Sequence, residues 1–416
     1  MPVETPTAHH LRTTCRACGG AALVRFLELG PTPLANSFLT TADQLEHSYP
    51  LDVYFCQQCS LVQLLDVIDP EVLFRDYIYV SGTSATMRRH FQEYADTVAA
   101  RLALAPGDLV VEAASNDGTL LRSFHHHGVR TLGVEPARNV AALARDQGVE
   151  TLAEFFNLPM AQRLRNSRGV ARAVIGNNVL AHVDDPLDFL RGAAELAGPG
   201  GWVIVEVPYL GEMLRRLEYD TIYHEHLGYF SVTSLMRLFE GAGLRIQDVA
   251  PVPVHGGSLR VFAQPESCHR QHGDAVQAWA EREAAEGMTS LARYRQFAAD
   301  VARNRAELRE TLRSLRDQGL RLAAYGAPAK GNTLLNYCRL GNGLLDFTVD
   351  KSPHKVGRFT PGQRLPVLTA EALLERQPGC VLMLAWNFAE EILREQQAYR
   401  DRGGKFLLPV PSPRLM

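Results

Sequence analysis

Two Cys-x-x-Cys knuckles, Cys15-x-x-Cys18 and Cys56-x-x-Cys59, constrain this chain more than any other feature. Each knuckle turns tightly enough to aim two sulfurs at one point. Together they supply the four thiolates that tetrahedral zinc takes in a closed structural site. Such a site leaves no position for water, so it folds a domain and does not catalyse. Disulfides are the competing use of these residues, but a reducing compartment would keep them as thiols. A redox Cys-x-x-Cys opens a helix in a thioredoxin-like unit, and there one motif would suffice. Gly19-Gly20, Gly30-Pro31, Pro33 and Pro50 break the surrounding chain into short apolar stretches. That punctuation predicts small β hairpins around a metal over residues 1–76. Cys268, Cys338 and Cys380 are scattered and read as ordinary thiols.

The remainder is long enough for further domains. Of the 416 residues 46% are hydrophobic and 21% charged, which supports several cores and argues against disorder. A net charge of −3 offers no general attraction for nucleic acid or an anionic membrane. No apolar run approaches the ~18–20 residues of a spanning helix, and Met1 to Thr14 lack the apolar core of a secretory signal. The expectation is a soluble, cytoplasmic protein with no nucleic-acid or membrane partner. No coiled coil is evident, and the size is consistent with a monomer.

From Asp108 the pattern alternates between short apolar strands and helices. Leu109–Glu112, Thr131–Glu135, Ala173–Gly176 and Trp202–Val207 read as strands, with helices between them. Such alternation predicts a doubly wound α/β sheet, with ligands at the carboxyl ends of its strands. Residues 274–318 read as charged amphipathic helices, in which Val276, Trp279, Leu308, Leu312 and Leu315 keep helical spacing. A second βα series follows Gly319. The expected plan is therefore a β-rich zinc domain at 1–76, a doubly wound domain at 77–265, a helical connector at 266–318 and a Rossmann-like α/β domain at 319–416.

Glu112-Ala-Ala-Ser-Asn-Asp-Gly118 sits where a nucleotide-binding turn belongs, between strand and helix. Dinucleotide fingerprints place glycines at the positions of Ala114, Asn116 and Gly118, and only Gly118 is glycine. Asn116 adopts positive φ at modest cost, so the turn is feasible, but close approach by a pyrophosphate is disfavoured. Glu135 ends the next strand, where its carboxylate can accept both ribose hydroxyls of an adenosine cofactor. Glu112 and Asp117 are available to a cofactor's amino group. These features suit S-adenosylmethionine (SAM), which carries no phosphate; an ordinary turn beside a solvated glutamate is the bland alternative. Gly176-Asn177-Asn178-Val-Leu-Ala-His182 resembles the loop after strand four of class I methyltransferases, and Ser231–Gly243 resembles their late helix.

Further motifs are Tyr77-Ile-Tyr79-Val-Ser81-Gly82, Tyr223-His224-Glu225-His226, His255-Gly-Gly-Ser-Leu-Arg260, Tyr325-Gly-Ala-Pro-Ala-Lys330-Gly-Asn332 and Val349-Asp-Lys351-Ser-Pro353. With the four cysteines and the Glu112–Gly118 turn, in this order, the chain resembles the NDP-sugar C-methyltransferases through nearly its whole length. Ala113-Ala114 is a small departure from the pattern. The resemblance implies a zinc-binding N-terminal domain, a SAM-binding core and a C-terminal Rossmann-like domain that takes the sugar nucleotide. It is strongest to C-3 enzymes acting on TDP-3-amino-2,3,6-trideoxy-4-keto-glucose; other members methylate 3-hydroxy-4-keto sugars or C-5.

Methylating carbon beside a ketone needs a base, a hydrogen-bond donor at the ketone oxygen and a fixed methyl donor. His226 is the expected base, since imidazole titrates near neutral pH. Glu225 is expected to orient it or to contact the substrate amine. Tyr223, Tyr77 and His182 are candidates to hold the ketone oxygen or ring hydroxyls. If the segment is extended, His224 and His226 share a face; a loop relaxes this. Tyr79, Ser81, His255, Lys330, Asn332, Lys351 and Lys355 are candidate contacts to the TDP-sugar, with Lys330 placed to meet a diphosphate. Each also has a structural reading, as core aromatic, polar loop or solvated lysine. His125-His126-His127 does not read as a metal site, because consecutive side chains on a helix splay by about 100°. An NAD-dependent oxidoreductase and a non-catalytic sugar-nucleotide-binding scaffold are the rival readings.

Overall fold

A computed structural model describes residues 9–75, 77, 80–83, 85–254, 256–269, 271–341 and 343–416, apart from the side chains of residues 83, 85 and 86. Tyr79 and His255 therefore lie outside the described residues.

The N-terminal segment builds an antiparallel sheet from Leu23–Glu28, Asp52–Cys56 and Val62–Leu64. Its fourth strand, Gly228–Tyr229, comes from far along the chain and pairs with Val62 and Gln63. Each knuckle forms the tight turn its spacing demands: Gly19 N–H returns to Cys15 C=O at 2.9 Å, and Ser60 N–H to Cys56 C=O at 2.9 Å.

The central sheet has seven strands in the order Thr151–Leu152, Arg130–Val134, Leu109–Ala113, Ala173–Asn177, Trp202–Pro208, Ser258–Pro265 and Leu244–Val252. The first five are parallel; Ser258–Pro265 inserts antiparallel between Trp202–Pro208 and the edge strand. Leu109–Ala113 is buried along its whole length, as a parallel strand covered by helices on both faces must be. Arg260, from the His255–Arg260 motif, is a structural residue here. Its guanidinium reaches Glu206 at 2.9 and 3.0 Å and stacks on Tyr94, tying the antiparallel strand to the carboxyl end of its neighbour.

The connector forms two helices, Asp274–Ala285 and Leu291–Asp317. Val276, Leu308, Leu312 and Leu315 are buried, on the face their spacing predicts. The longer helix touches every other part of the molecule. Tyr294 packs on Phe26 and Phe55 of the zinc domain, and Asn304 joins Tyr219 to the carbonyl of Pro409 at 2.8 Å each. The last sheet runs Val367–Leu368, Thr348–Val349, Leu322–Tyr325, Cys380–Met383, Lys405–Leu408 and Arg414–Leu415, parallel except for the final strand. Among the described residues no helix is long and apolar enough to cross a membrane.

Candidate active site

The four knuckle sulfurs lie within 4.8 Å of one another, Cys15 to Cys59 at 3.4 Å and Cys18 to Cys56 at 3.6 Å. Disulfide sulfurs would be ~2.05 Å apart, whereas four thiolates at about 2.3 Å from one zinc stand about 3.8 Å from each other. The cluster fits zinc. Gln63 Nε2 donates to Cys15 Sγ at 3.2 Å, the kind of outer contact that orients a ligating thiolate.

At the carboxyl end of Leu109–Ala113 the turn takes the strained route that the missing glycines foreshadow. Ala114 and Asn116 have φ of 56° and 50°, and Gly118 has φ of 73°. A Cβ on Gly118 would meet Val149 at 2.8 Å, so only that position excludes a side chain sterically as well. Glu135 accepts the backbone N–H groups of Asn116 and Ala137 at 2.8 Å each, which locks the turn beneath the second strand. Two oxygens with these bonds keep lone pairs for further donors. Burial, and then the neighbouring Asp117 and Glu135, push the Glu112 carboxyl well above its usual range. Burial also raises Glu135. Three carboxyl groups converging on one buried turn favour a positively charged ligand and oppose a pyrophosphate. Glu112 Oε2, both side-chain atoms of Asn177 and Asn178 Oδ1 are buried without hydrogen-bond partners. These orphaned acceptors and donors, at the ends of adjacent strands, fit SAM, whose ammonium, sulfonium and ribose hydroxyls would satisfy them.

Asn116 and Asp117 also hold the chain that crosses above. Asn116 Oδ1 accepts from Ser81 N–H at 2.8 Å, and Asp117 Oδ2 from Gly82 N–H at 3.0 Å. Upstream, Tyr77 exchanges two hydrogen bonds with the Asn139 side chain. Tyr77 then extends to the second half of the site, where its hydroxyl donates to Glu225 Oε2 at 3.2 Å.

Tyr223–His226 forms a turn, closed by His226 N–H to Tyr223 C=O at 2.8 Å, so the extended alternative does not apply. The two histidines part company. His224 is buried with Nε2 at 3.0 Å from the carbonyl of Pro50 in the zinc domain, a structural contact. His226 Nδ1 lies 2.9 Å from the carbonyl of Thr221, which assigns the proton to Nδ1 and leaves Nε2 to accept from the Tyr223 hydroxyl at 2.8 Å. Glu225, 3% exposed, is held by Asn36 Nδ2 at 2.6 Å and by Tyr77. Burial raises it from the ordinary 4.5 to about 7. His182 sits edge-on to His226, with ring centroids 4.8 Å apart. Burial lowers it to about 4, and its Nδ1 has no partner. The structure thus gathers Tyr77, His182, Tyr223, Glu225 and His226. It adds Asn36, which gave no signal in the sequence because its partner is 189 positions away.

The C-terminal candidates do not form an open basic cradle. Lys330 bonds Asn387, stacks on Trp386 at 3.8 Å and is lowered to about 8 by burial, opposed by Asp220 and Glu218. Asn332 is fully buried and donates to the carbonyl of Ala35 at 2.7 Å, joining the C-terminal helix to the loop that carries Asn36. Lys351 pairs with Glu395 at 2.6 Å, and Lys355 donates to the carbonyl of Ala327 at 2.9 Å. His125–His127 is a 3₁₀ turn, yet two of its three rings come together. His126 and His127 rings lie 3.8 Å apart, and both reach Asp96. His125 bonds Thr131 instead.

The central sheet order, the carboxyl-rich turn and the cysteine cluster define a class I SAM-dependent methyltransferase with a zinc-binding N-terminal domain. Comparison with known proteins agrees. Residues 15–74 match a zinc binding domain family, 87–249 a methyltransferase domain and 253–411 a C-methyltransferase C-terminal domain. Over 404 residues the chain is 40% identical to C-methyltransferase NovU of Streptomyces niveus, covering 97% of this chain and 96% of that protein. It is 29% identical to a ubiquinone biosynthesis O-methyltransferase of Bordetella bronchiseptica over 99 residues, 23% of this chain and 41% of that protein. Magnesium protoporphyrin IX methyltransferase from Synechocystis PCC 6803, solved with bound SAM, aligns with 45% of this chain and 85% of its own at 16% identity and a TM-score of 0.33. The chain belongs to the C-methyltransferase family.

Proposed function

We propose that the enzyme methylates the carbon alpha to the ketone of a TDP-linked 4-keto deoxysugar, C-3 of TDP-3-amino-2,3,6-trideoxy-4-keto-glucose, in antibiotic deoxysugar biosynthesis. The motif resemblance supplies the substrate class. The observation that carries the mechanism is a tautomer-fixed His226 in ring contact with a neutral His182 and next in the chain to a buried Glu225. SAM supplies an electrophilic methyl on a sulfonium, which the substrate carbanion takes. His226 Nε2 is the base and takes the C-3 proton through the Tyr223 hydroxyl, which receives that proton as it passes its own to Nε2. His182 stays neutral because its pKa is depressed, and so offers a hydrogen bond to the enolate oxygen without competing for the proton. Glu225, held by Asn36 and Tyr77, receives the substrate amine. Glu135 and Asn177 would take the ribose hydroxyls and tail of SAM, with Glu112, Asn116, Asp117, Gly118 and Asn178 completing that site. Residues 319–416 take the nucleotide portion. The free-thiol cluster suits a cytoplasmic enzyme, and we read it as a monomer.

Incubation with SAM and a panel of TDP-keto sugars is expected to yield a mass gain of one methyl on the 3-amino-4-keto substrate. NAD binding without SAM binding would overturn the reading in favour of an oxidoreductase. SAM and sugar-nucleotide binding without methyl transfer would favour a scaffold.

Glu225 makes a separate prediction. Its folded pKa is raised, so the folded state holds a proton that the unfolded chain releases as pH rises from about 4.5 to 7. Stability is therefore lost across that window, by about 3 kcal/mol in all. Glu225→Gln keeps the shape and lacks the titration. Denaturant titrations at pH 5 and pH 8 should show its stability relative to wild type rising by about this amount. A variant whose relative stability is the same at both pH values would contradict the assigned burial of charge.

A further inference from the structure

We infer that Gln63 and Arg16 are positioning residues that transmit the geometry of the zinc knuckles to the two loops bearing His182 and Glu225-His226. The inference rests on those loops being catalytic. Gln63 is completely buried in the strand that follows the second knuckle. Its side chain donates to Cys15 Sγ at 3.2 Å and accepts from Arg16 N–H at 3.1 Å and Arg16 Nη1 at 3.3 Å. Its backbone lies opposite Gly228, two residues after His226. The neighbouring Leu64 N–H reaches Leu227 C=O at 3.1 Å, and Leu227 N–H reaches Ala181 C=O at 2.6 Å, next to His182. One short strand therefore joins a metal-ligating sulfur to both catalytic loops.

Arg16 makes the second connection. It sits inside the first knuckle, 2% exposed, and pairs through Nη2 with Asp184 at 3.1 Å, two residues after His182. The same guanidinium bonds the carbonyl of Leu64. A buried arginine between a zinc ligand and a loop 168 positions later (184 − 16) is costly to bury and is unnecessary for folding a zinc knuckle alone. Its partners are the Gln63 side chain and the Leu64 carbonyl of that strand, and the Asp184 carboxylate of the loop that carries His182. Losing an outer contact of a metal site typically costs about 10–100-fold in that site's own metal affinity or activity.

The test uses the full-length, zinc-loaded enzyme with Gln63→Met, Gln63→Glu and Arg16→Lys. The glutamate variant keeps the acceptor for Arg16 but loses the donor to sulfur; Arg16→Lys keeps charge and loses the fork, and stands in if Gln63→Met does not fold. Expected are about one zinc per chain, unchanged SAM affinity by calorimetry, and kcat reduced by about tenfold or more with little change in KM. Hydrogen exchange should speed up over residues 222–230 and not over 109–134. Wild-type kcat per SAM-binding site, or unchanged protection of 222–230, would overturn the coupling. So would a loss of activity that merely tracks the loss of folded protein. His226→Asn is assayed in parallel. An inactive His226 variant beside fully active Gln63 variants rejects the coupling alone. A fully active His226 variant rejects the catalytic reading instead, and hydrogen exchange still decides the coupling.

Discussion

Replacing His226 by asparagine is expected to lower methyl transfer by about 10²–10⁴-fold while leaving SAM affinity at its wild-type value. The asparagine amide can still meet the carbonyl of Thr221, so the turn should survive. It cannot accept a proton at the position of Nε2, where the Tyr223 hydroxyl now donates. The loss should fall in kcat, because the turn proposed to hold SAM, Glu112–Gly118 with Glu135, is built from other strands. Substrate deuterated at C-3 should lose its label with the wild-type enzyme and retain it with the variant. Retained turnover would remove His226 from proton transfer and move that role to Glu225 or Tyr223. Glu225→Gln separates those two: a loss of about 10²–10⁴-fold makes Glu225 the base, and a smaller one leaves it as the group that holds the substrate amine.

Removing zinc should have the largest effect on the molecule as a whole. Structural zinc contributes apparent binding free energies of about 10–16 kcal/mol in small thiolate-rich folds, more than a domain's usual net stability. The zinc domain of this enzyme is built of short strands and turns around Cys15, Cys56 and Cys59, which are themselves core residues. Elemental analysis should find about one zinc per chain. Cys56→Ser should abolish stoichiometric zinc and lower soluble yield sharply, and chelated wild type should lose activity as that domain melts. Metal-free protein that remains folded and fully active would refute a structural zinc. The effect should reach further than the domain, because the strand Val62–Leu64 carries Gly228–Tyr229 and the loop of Asn36 carries one bond to Glu225.

The elements most legible in the sequence were those whose information is local. Leu109–Ala113, Ala173–Asn177 and Trp202–Pro208 appeared where apolar runs ended in turn chemistry, because a strand covered on both faces is apolar over most of its length. The knuckles were legible because two sulfurs on one tight turn fix their own spacing. In Leu345–Val349, where Leu345, Phe347 and Val349 are apolar, only Thr348–Val349 pairs. Apolarity reports burial there and does not distinguish strand from the buried approach to it.

The sequence by itself determined the order of the parts: a four-thiolate metal site, a doubly wound core with an acid at the end of its second strand, amphipathic helices, and a second βα unit. Each is written in spacings of a few residues, which backbone geometry converts directly into structure. Only the tertiary structure decided how Tyr223-His224-Glu225-His226 is used. Four polar residues in a row carry no instruction about which face of a turn each will take. That choice was made by Pro50, Thr221, Asn36 and Tyr77, groups drawn from both sides of domain boundaries. The same holds for Lys330, whose sequence context suggests an anion and whose surroundings, Trp386, Asn387, Asp220 and Glu218, assemble only when the C-terminal sheet docks. Partners more than a hundred positions apart are selected by packing, and a linear pattern contains no record of that selection.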